Sequence, residues 1–416
     1  MSVIIVGGGV AGFQAARACL SQAPGRKVTI IDKEPWTGYL RTCLPQFMAG
    51  KMPWEKLFYF QEKLPPQMEI RVNTRVVGID RRQGQVLLAC GEKVPYERLI
   101  LAHGGEPYLP ELIAKTPGRG IFTLRDLVQA RLIKDRLMTH RRVIILGGSL
   151  VGVKTAASLR QAGLDVTMIV RRGSILLRAL SAEAARLVQQ HLVNMGIAII
   201  TDAPLEDLQI KKGDFAAIKA GGRWIEGDTL LVAAGIEPEV GYLGESGLLT
   251  DGELVVPPTL MTRDERIAAA GDAVTLALSG GKFQPNTWPQ AACQGRLAGE
   301  NIWRSQPFTH RDPTAVNAMD LNGLSLVILG PPLAGAAVVS HYLPRAGIFR
   351  ELFHRRGLLV GGALLGDISQ AGFLRALIAA ETRLDPADME KYAAGKVRLF
   401  RPRSFPAHYL EVQHAY

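Results

Sequence analysis

Gly7, Gly9 and Gly12 stand in the spacing G-x-G-x-x-G, directly after the β-branched run at 3–6 and directly before an alanine-rich stretch. The chemistry served by that spacing is phosphate binding. The first glycine permits a tight turn, the second lets backbone approach a pyrophosphate, and the third lets helix and strand pack closely. The helix that follows would turn unpaired N–H groups toward the anion. An acid completes the pattern: Asp32 ends the next apolar strand, KVTIID, twenty residues beyond Gly12, where a carboxylate accepts hydrogen bonds from a ribose.

The same grammar recurs in RRVIILGGSLVGVKTAASLRQAGLDVTMIVRR. A strand at 143–146 leads into Gly147, Ser149 and Gly152, then a helix, Gly163 as its stop, and a strand at 166–170. Ser149 takes the place of the middle glycine and is small enough to keep a pyrophosphate close. This strand ends in Arg171 and Arg172, not in an acid, and Arg178 follows one short loop later. Arginine there suits a 2′-phosphate, whereas an acid would bind a ribose 2′-hydroxyl. The other reading is a solvated loop end. Two such units in one chain imply two dinucleotides with electrons moving between them.

The elements holding these turns need ordinary cores, and the composition supplies them. A chain of 416 residues with 47% hydrophobic and 21% charged residues should form two or three domains, which excludes a disordered or low-complexity chain. Cys19, Cys43, Cys90 and Cys293 lie far apart with no C-x-x-C. That spacing excludes a zinc ribbon, an adjacent redox dithiol and a cysteine-ligated iron–sulfur cluster, and the histidines show no metal-ligand spacing. No metal site is expected, and a reducing cytoplasm is the simplest setting. The net charge of +11 favours acidic partners or anionic cofactors. The basic residues are dispersed without aromatic interleaving, so nucleic acid is not an expected partner. The N-terminus enters a strand with no basic start or cleavage site, which argues against a secretory signal. The longest apolar stretch, 324–340, contains Pro331, Pro332 and several glycines. It reads as two strands and a turn, and no integral membrane segment is expected.

Further motifs follow in order. They are Ala102-His103-Gly104 in YERLILAHGGEPYLP, Ala234-Gly235 and Pro238 in LLVAAGIEPEV, Gly271-Asp272 in IAAAGDAV, and the stretch TWPQAACQGRLAGENI. With the two turns they resemble the two-dinucleotide flavoprotein reductases of the FAD/NAD(P)-dependent pyridine nucleotide–disulfide oxidoreductase superfamily, over nearly the whole chain. That resemblance implies an α/β fold with two Rossmann-like dinucleotide-binding domains, three-layered and glutathione-reductase-like, plus a C-terminal α+β domain. The FAD domain would span 1–115 and 251–325, the NAD(P) domain 116–250, and the C-terminal interface domain 326–416. FAD would be held by Gly7, Gly9, Gly12, Asp32, Arg41, Val76, Ala102, Gly271 and Asp272, with Asp272 on the ribityl chain. NAD(P)H would be held by Gly147, Ser149, Gly152, Arg171, Arg172 and Gly235.

Within that superfamily the chain is similar to rubredoxin and ferredoxin reductases and to the flavin module of assimilatory nitrite reductase. The similarity rests on Tyr39-Leu40-Arg41-Thr42-Cys43-Leu44 and on RRGLLVGGALLGDISQAG with Gly366-Asp367. It implies a cytoplasmic, FAD-dependent NAD(P)H oxidoreductase that exchanges hydride between nicotinamide and flavin. Electrons would pass to or from a small acidic redox protein or an Fe–S or metalloenzyme subunit, the chain being a homodimer or part of a larger complex. Ferredoxin reductases carry a lysine and a glutamate at the positions of Gln46 and Lys154, so their ion pair is absent here. Lys154 and Arg41 become the candidate catalytic residues, tuning the flavin; Lys154 lining the pyrophosphate is the other reading. His103 replaces a threonine, and a structural role, hydrogen-bonded in the domain crossover, is favoured over acid–base work. Two alternatives stay open. Cys43 could be a single redox thiol, as in coenzyme-A disulfide reductases and NADH oxidases, although it stands one position late against Leu44-Pro45. The chain could also be a non-catalytic flavin-binding subunit whose second site has decayed at Ser149 and Lys154.

Overall fold

The run SVIIV forms strand β1 (Ser2–Val6), and KVTII forms β2 (Lys27–Ile31), parallel to it with Ile5 opposite Ile30. Both are covered on two faces, which is why they read as continuous apolar runs and not as alternating ones. Helix α1 (Val10–Gln22) joins them, and its alanines let another helix approach closely. On the facing helix Trp288–Asn301, a Cβ at Gly295 would stand 2.1 Å from the Ala11 carbonyl oxygen, and one at Gly299 2.4 Å from that of Ala15. Small residues on both sides set that contact.

The computed structural model describes residues 2–59, 64–278, 281–284, 286–310, 314–333 and 335–396. In it β1 and β2 belong to a parallel five-stranded sheet in the order Ile267–Ala269, Arg98–Leu101, β1, β2, Met68–Arg71. A second parallel five-stranded sheet repeats the plan. Strand β3 (Arg142–Leu146), helix α2 (Leu150–Gln161) and strand β4 (Asp165–Ile169) form its fingerprint, in the order Ala198–Ile200, β4, β3, Thr229–Val232, Ile121–Thr123. Each half also contains a three-stranded antiparallel meander, 76–95 after the first fingerprint and 205–226 after the second. The strands Gly105–Pro107 and Ile236–Pro238 pair antiparallel where the chain crosses between the two halves. Both halves lie in one compact unit, Met1–Leu177 with Ala185–Val316.

The second unit combines Arg178–Ala184 with the chain from Asn317 on. Its five-stranded sheet runs Val316–Asp320, Ser325–Leu329, Leu358–Leu365, Ile348–Arg355, Ala337–Leu343, and the helices Ala371–Ala379 and Pro386–Ala393 complete an α+β unit. The apolar stretch 324–340 thus holds strands, as its prolines and glycines implied. A boundary at 326 falls inside the strand Ser325–Leu329; the sheet already begins at Val316, a short strand without the apolar run that would have marked it. Segment 178–184 joins this unit because the Ser181 N–H donates to buried Glu351 Oε1 (3.2 Å). Among the described residues no helix is long and apolar enough to cross a membrane, and no group of three His, Cys, Asp or Glu could hold a metal.

Candidate active site

The first glycine turn is built by contacts that leave no room for side chains. Gly7 has φ +104°, and a Cβ on it would stand 2.3 Å from the Ala102 carbonyl oxygen; one on Gly12 would stand 1.9 Å from the Gly7 carbonyl. Gly9, which caps α1, is different: a Cβ there would meet nothing within 4 Å. Backbone needs Gly7 and Gly12, whereas the space beside Gly9 is open to a ligand. Asp32 sits at the end of β2 and is 6% exposed. Its Oδ2 accepts from the Gly8 N–H at 2.6 Å and its Oδ1 from the Glu34 N–H at 3.0 Å. Burial pushes the Asp32 carboxyl above its ordinary value, and those two amide bonds oppose the shift. The side chain of Val76 lies in the apolar core of this half, so only its backbone can meet a ligand.

Behind the turn lies a polar cluster that links four segments. Gly271, at φ +79°, donates its N–H to Gln294 Oε1 (2.9 Å), and Asp272 Oδ2 accepts from Arg125 Nη2 (3.2 Å). The Arg125 carbonyl accepts from Arg41 Nη1 (2.9 Å), and Arg41 Nη2 pairs with Glu34 Oε1 (2.5 Å). Glu34 also accepts from the Tyr39 hydroxyl (2.5 Å). Arg41 and Asp272, 231 positions apart, are therefore joined through Arg125. Arg125 and Glu34 escape a motif search, whereas Gln294 belongs to the stretch TWPQAACQGRLAGENI. Arg125 lies in FTLRDL, outside the recognisable segments, although Glu34 stands only two residues past the fingerprint acid.

The same region holds buried polar atoms without a partner among the described residues: Tyr59 Oη, Gln46 Oε1, Gln294 Nε2 and His103 Nε2. Native proteins keep few such atoms, because each costs the desolvation of an unmade hydrogen bond. Their presence beside an open glycine turn and two guanidinium groups fits a large, oxygen-rich dinucleotide.

The second turn follows the first in geometry. Gly147 has φ +125° with the Ala233 carbonyl 2.4 Å from its Cβ position, and a Cβ on Gly152 would stand 2.5 Å from the Gly147 carbonyl. Ser149 is accommodated because its hydroxyl turns inward. It caps α2 by accepting from the Gly152 N–H (3.3 Å) and donates to the Ala233 carbonyl (3.0 Å). The substitution thus supplies a helix cap, which argues against decay of the site. Gly235, at φ +129°, has open space beside it. Arg171 and Arg172 follow β4, are exposed, and carry no hydrogen bond or ion pair to the described residues.

Lys154 joins the two halves. Its Nζ donates to the Thr42 carbonyl at 2.6 Å, reaching from α2 to the short 3₁₀ turn Arg41–Cys43. Burial pushes the Lys154 ammonium below its ordinary 10.5, and the neighbouring Cys43 opposes that shift. Gln46, at the place of the absent lysine, keeps its Oε1 buried and without a partner among the described residues. The ammonium therefore lies against the residue next to Arg41. Cys43 is half-buried, and none of the four cysteines forms a disulfide. His103 is hydrogen-bonded to Tyr242 near the crossover strands.

Residues 1–295 match the family described as pyridine nucleotide-disulphide oxidoreductase. The chain is 26% identical to the NADH-dependent phenylglyoxylate dehydrogenase subunit epsilon of Aromatoleum evansii, over 92% of each chain. It is 26% identical to the rubredoxin-NAD(+) reductase of Alcanivorax borkumensis, covering 88% of this chain and 95% of that one. Among solved structures, the covalent putidaredoxin reductase–putidaredoxin complex superposes with a TM-score of 0.87 at 19% identity, over 96% of this chain and 99% of that chain; at that identity the likeness shows the fold.

Proposed function

The chain belongs to the pyridine nucleotide-disulphide oxidoreductases and is an FAD- and NAD(P)H-dependent oxidoreductase; from that premise we propose that its electrons pass to or from a separate protein. The observation that carries this reading is the pair of complete dinucleotide turns in a chain whose four cysteines form no disulfide and lie far apart in sequence. Two dinucleotides can exchange a hydride, but this spacing gives the chain no dithiol to receive it. Relatives named for rubredoxin, and for one subunit of a dehydrogenase, support the same assignment. With a net charge of +11, the partner is a small acidic redox protein or an Fe–S or metalloenzyme subunit. The free cysteines support a reducing, cytoplasmic setting. We assign the FAD domain to 1–115 and 251–315, the NAD(P) domain to 116–177 and 185–250, and the C-terminal domain to 178–184 with 316–396.

When bound, FAD supplies the hydride and electron chemistry. The protein's part is to bind and tune. Gly7, Gly9 and Gly12 admit the FAD pyrophosphate, Asp32 accepts from its ribose, and Asp272, held by Arg125, orients the ribityl chain. Arg41 and Lys154 place positive charge beside the flavin. Gly147, Ser149, Gly152 and Gly235 cradle the second dinucleotide, and Arg171 with Arg172 takes its 2′-phosphate. Anaerobic titration of the holoprotein with NADH and NADPH tests the assignment. Bleaching of the flavin, together with rapid dye reduction and little turnover of disulfides or oxygen, is expected. A flavin that neither nucleotide bleaches would instead identify a non-catalytic flavin-binding subunit.

Two variants refine it. Replacing both Arg171 and Arg172 with alanine should raise the KM for NADPH about ten-fold, since exposed charge pairs contribute up to ~1 kcal/mol each. The KM for NADH should stay within about two-fold, and steady-state kinetics with the two nucleotides reads the difference. Cys43→Ser should retain turnover within about two-fold, because electrons that leave to a partner protein need no thiol intermediate. A variant that lost turnover while still bleaching with nucleotide would restore the single-cysteine reductase reading.

A further inference from the structure

The chain crosses between its two dinucleotide-binding halves on a ribbon of three residue pairs: Ile236 with Pro107, Glu237 with Glu106, and Pro238 with Gly105. So short a two-stranded ribbon is marginally stable on its own. This one also gathers like charges on one face. Glu106 and Glu237 stand directly opposite one another, which is destabilising. Glu239, whose N–H reaches the Gly104 carbonyl (3.4 Å), follows two positions on and shares their side of the alternation. A cation from outside the ribbon must offset these carboxylates.

Lys33 supplies it. The residue directly follows Asp32 at the end of β2, and its ammonium donates both to Glu106 and to Glu239 (2.5 Å). Arg75, immediately before the meander of the same half, takes the other oxygen of Glu239 (2.8 Å). Glu106 lies on the outgoing strand and Glu239 directly after the returning one, so a single side chain of the first half grips both crossings. Burial by itself would lower the Lys33 ammonium, but its two carboxylate partners outweigh that and raise it, so the bridge is charged at neutral pH. Without the ammonium, Glu106 and Glu239 would be left facing one another across about two hydrogen-bond lengths. Repulsion at that range would splay the two crossings.

We propose that Lys33 is a positioning residue for hydride transfer: by bridging the outgoing and returning strands to the first half, it fixes how the second half is held against the flavin. The inference rests on the two dinucleotides occupying the two glycine turns. Misplacing reacting atoms by about 1 Å can cost ~100-fold in rate, so a ribbon that splays by a fraction of that slows the transfer while each nucleotide still binds.

The test separates the rate of hydride transfer from cofactor binding. Lys33→Met keeps the length of the side chain and removes the cation, and at a side chain 25% exposed the variant should fold. In anaerobic stopped flow at saturating NADH or NADPH, its bound flavin should be reduced about ten-fold more slowly than that of wild type, with FAD affinity within about two-fold. Two recoveries distinguish positioning from plain stability. Adding Glu106→Gln to Lys33→Met removes the facing charges and should bring the rate to within about three-fold of wild type. Raising the salt from about 0.1 M to about 1 M shortens the screening length from ~10 Å to ~3 Å; it should speed Lys33→Met and leave wild type within about two-fold. An unchanged reduction rate in Lys33→Met, a loss of FAD affinity as large as the loss of rate, or a slow rate that neither Glu106→Gln nor salt recovers would each overturn the proposal. A wild-type flavin that neither nucleotide bleaches would refute the proposed function itself, which keeps the two failures apart.

Discussion

Replacing Gly9 with valine should leave the flavin-free protein folded and lower its FAD affinity by at least about 100-fold, the loss of two charge-assisted contacts to phosphate. The expectation rests on a contrast within one turn. Gly9 has φ −75° and ψ −174°, a conformation open to any residue, and its Cβ position meets nothing within 4 Å. The fold therefore tolerates a side chain there at about the ~1 kcal/mol cost of a poor helix N-cap. The side chain would project into the space through which backbone approaches the pyrophosphate. Gly12→Val should behave oppositely. Its Cβ would stand 1.9 Å from the Gly7 carbonyl oxygen, so the helix must move off the strand, and overpacking of this kind costs ~1–3 kcal/mol or more. Thermal melts of the flavin-free proteins, paired with FAD titrations, separate the two. If Gly9→Val binds FAD as wild type does, the first turn is not where the pyrophosphate lies.

Lys154→Glu should lower the two-electron midpoint potential of the bound flavin by about 60 mV. An ammonium beside the flavin favours its anionic reduced form, and the variant exchanges that charge for the opposite one. A unit charge acting through an effective dielectric near ~20 is worth on the order of 1–2 kcal/mol at ~10 Å. For a two-electron couple ~30 mV corresponds to ~1.4 kcal/mol, so a swing of two charges reaches about twice that. Lys154→Met should give about half the shift, and spectroelectrochemical titration reads both. The pH dependence has a definite sign. Burial lowers Lys154 below 10.5, so wild type loses this charge at a lower pH than an ordinary lysine would. The gap in potential between wild type and Lys154→Met should close as pH rises, before the ordinary lysine range is reached. The same burial means the charged form costs stability, and that cost fades as pH rises through the folded-state value. A potential that does not move in Lys154→Glu would leave the lysine with a purely structural bond to Thr42.

The features legible in the chain were the local ones. Each glycine turn lies within one strand–turn–helix–strand unit of about thirty residues, and the spacing of Gly7, Gly9 and Gly12 is dictated by backbone contacts inside that unit. Asp32 was readable for the same reason: strand β2 pairs with β1 in a fixed register, which brings the acid to the Gly8 amide. Even the serine in the second turn announces its role once its place as helix cap is seen.

Contacts between distant segments could not be read that way. Lys154 reaches Thr42 across 112 positions, Arg125 reaches Asp272 across 147, and Tyr242 reaches His103 across 139. No periodicity or spacing encodes such pairs, because they depend on how the two halves fold back on one another at the crossover strands. That two dinucleotides bind can be read from the chain alone, since glycine is required wherever backbone must touch backbone or phosphate. Which charges surround the first glycine turn follows from the folded chain, because an ion pair is set by neighbours in space.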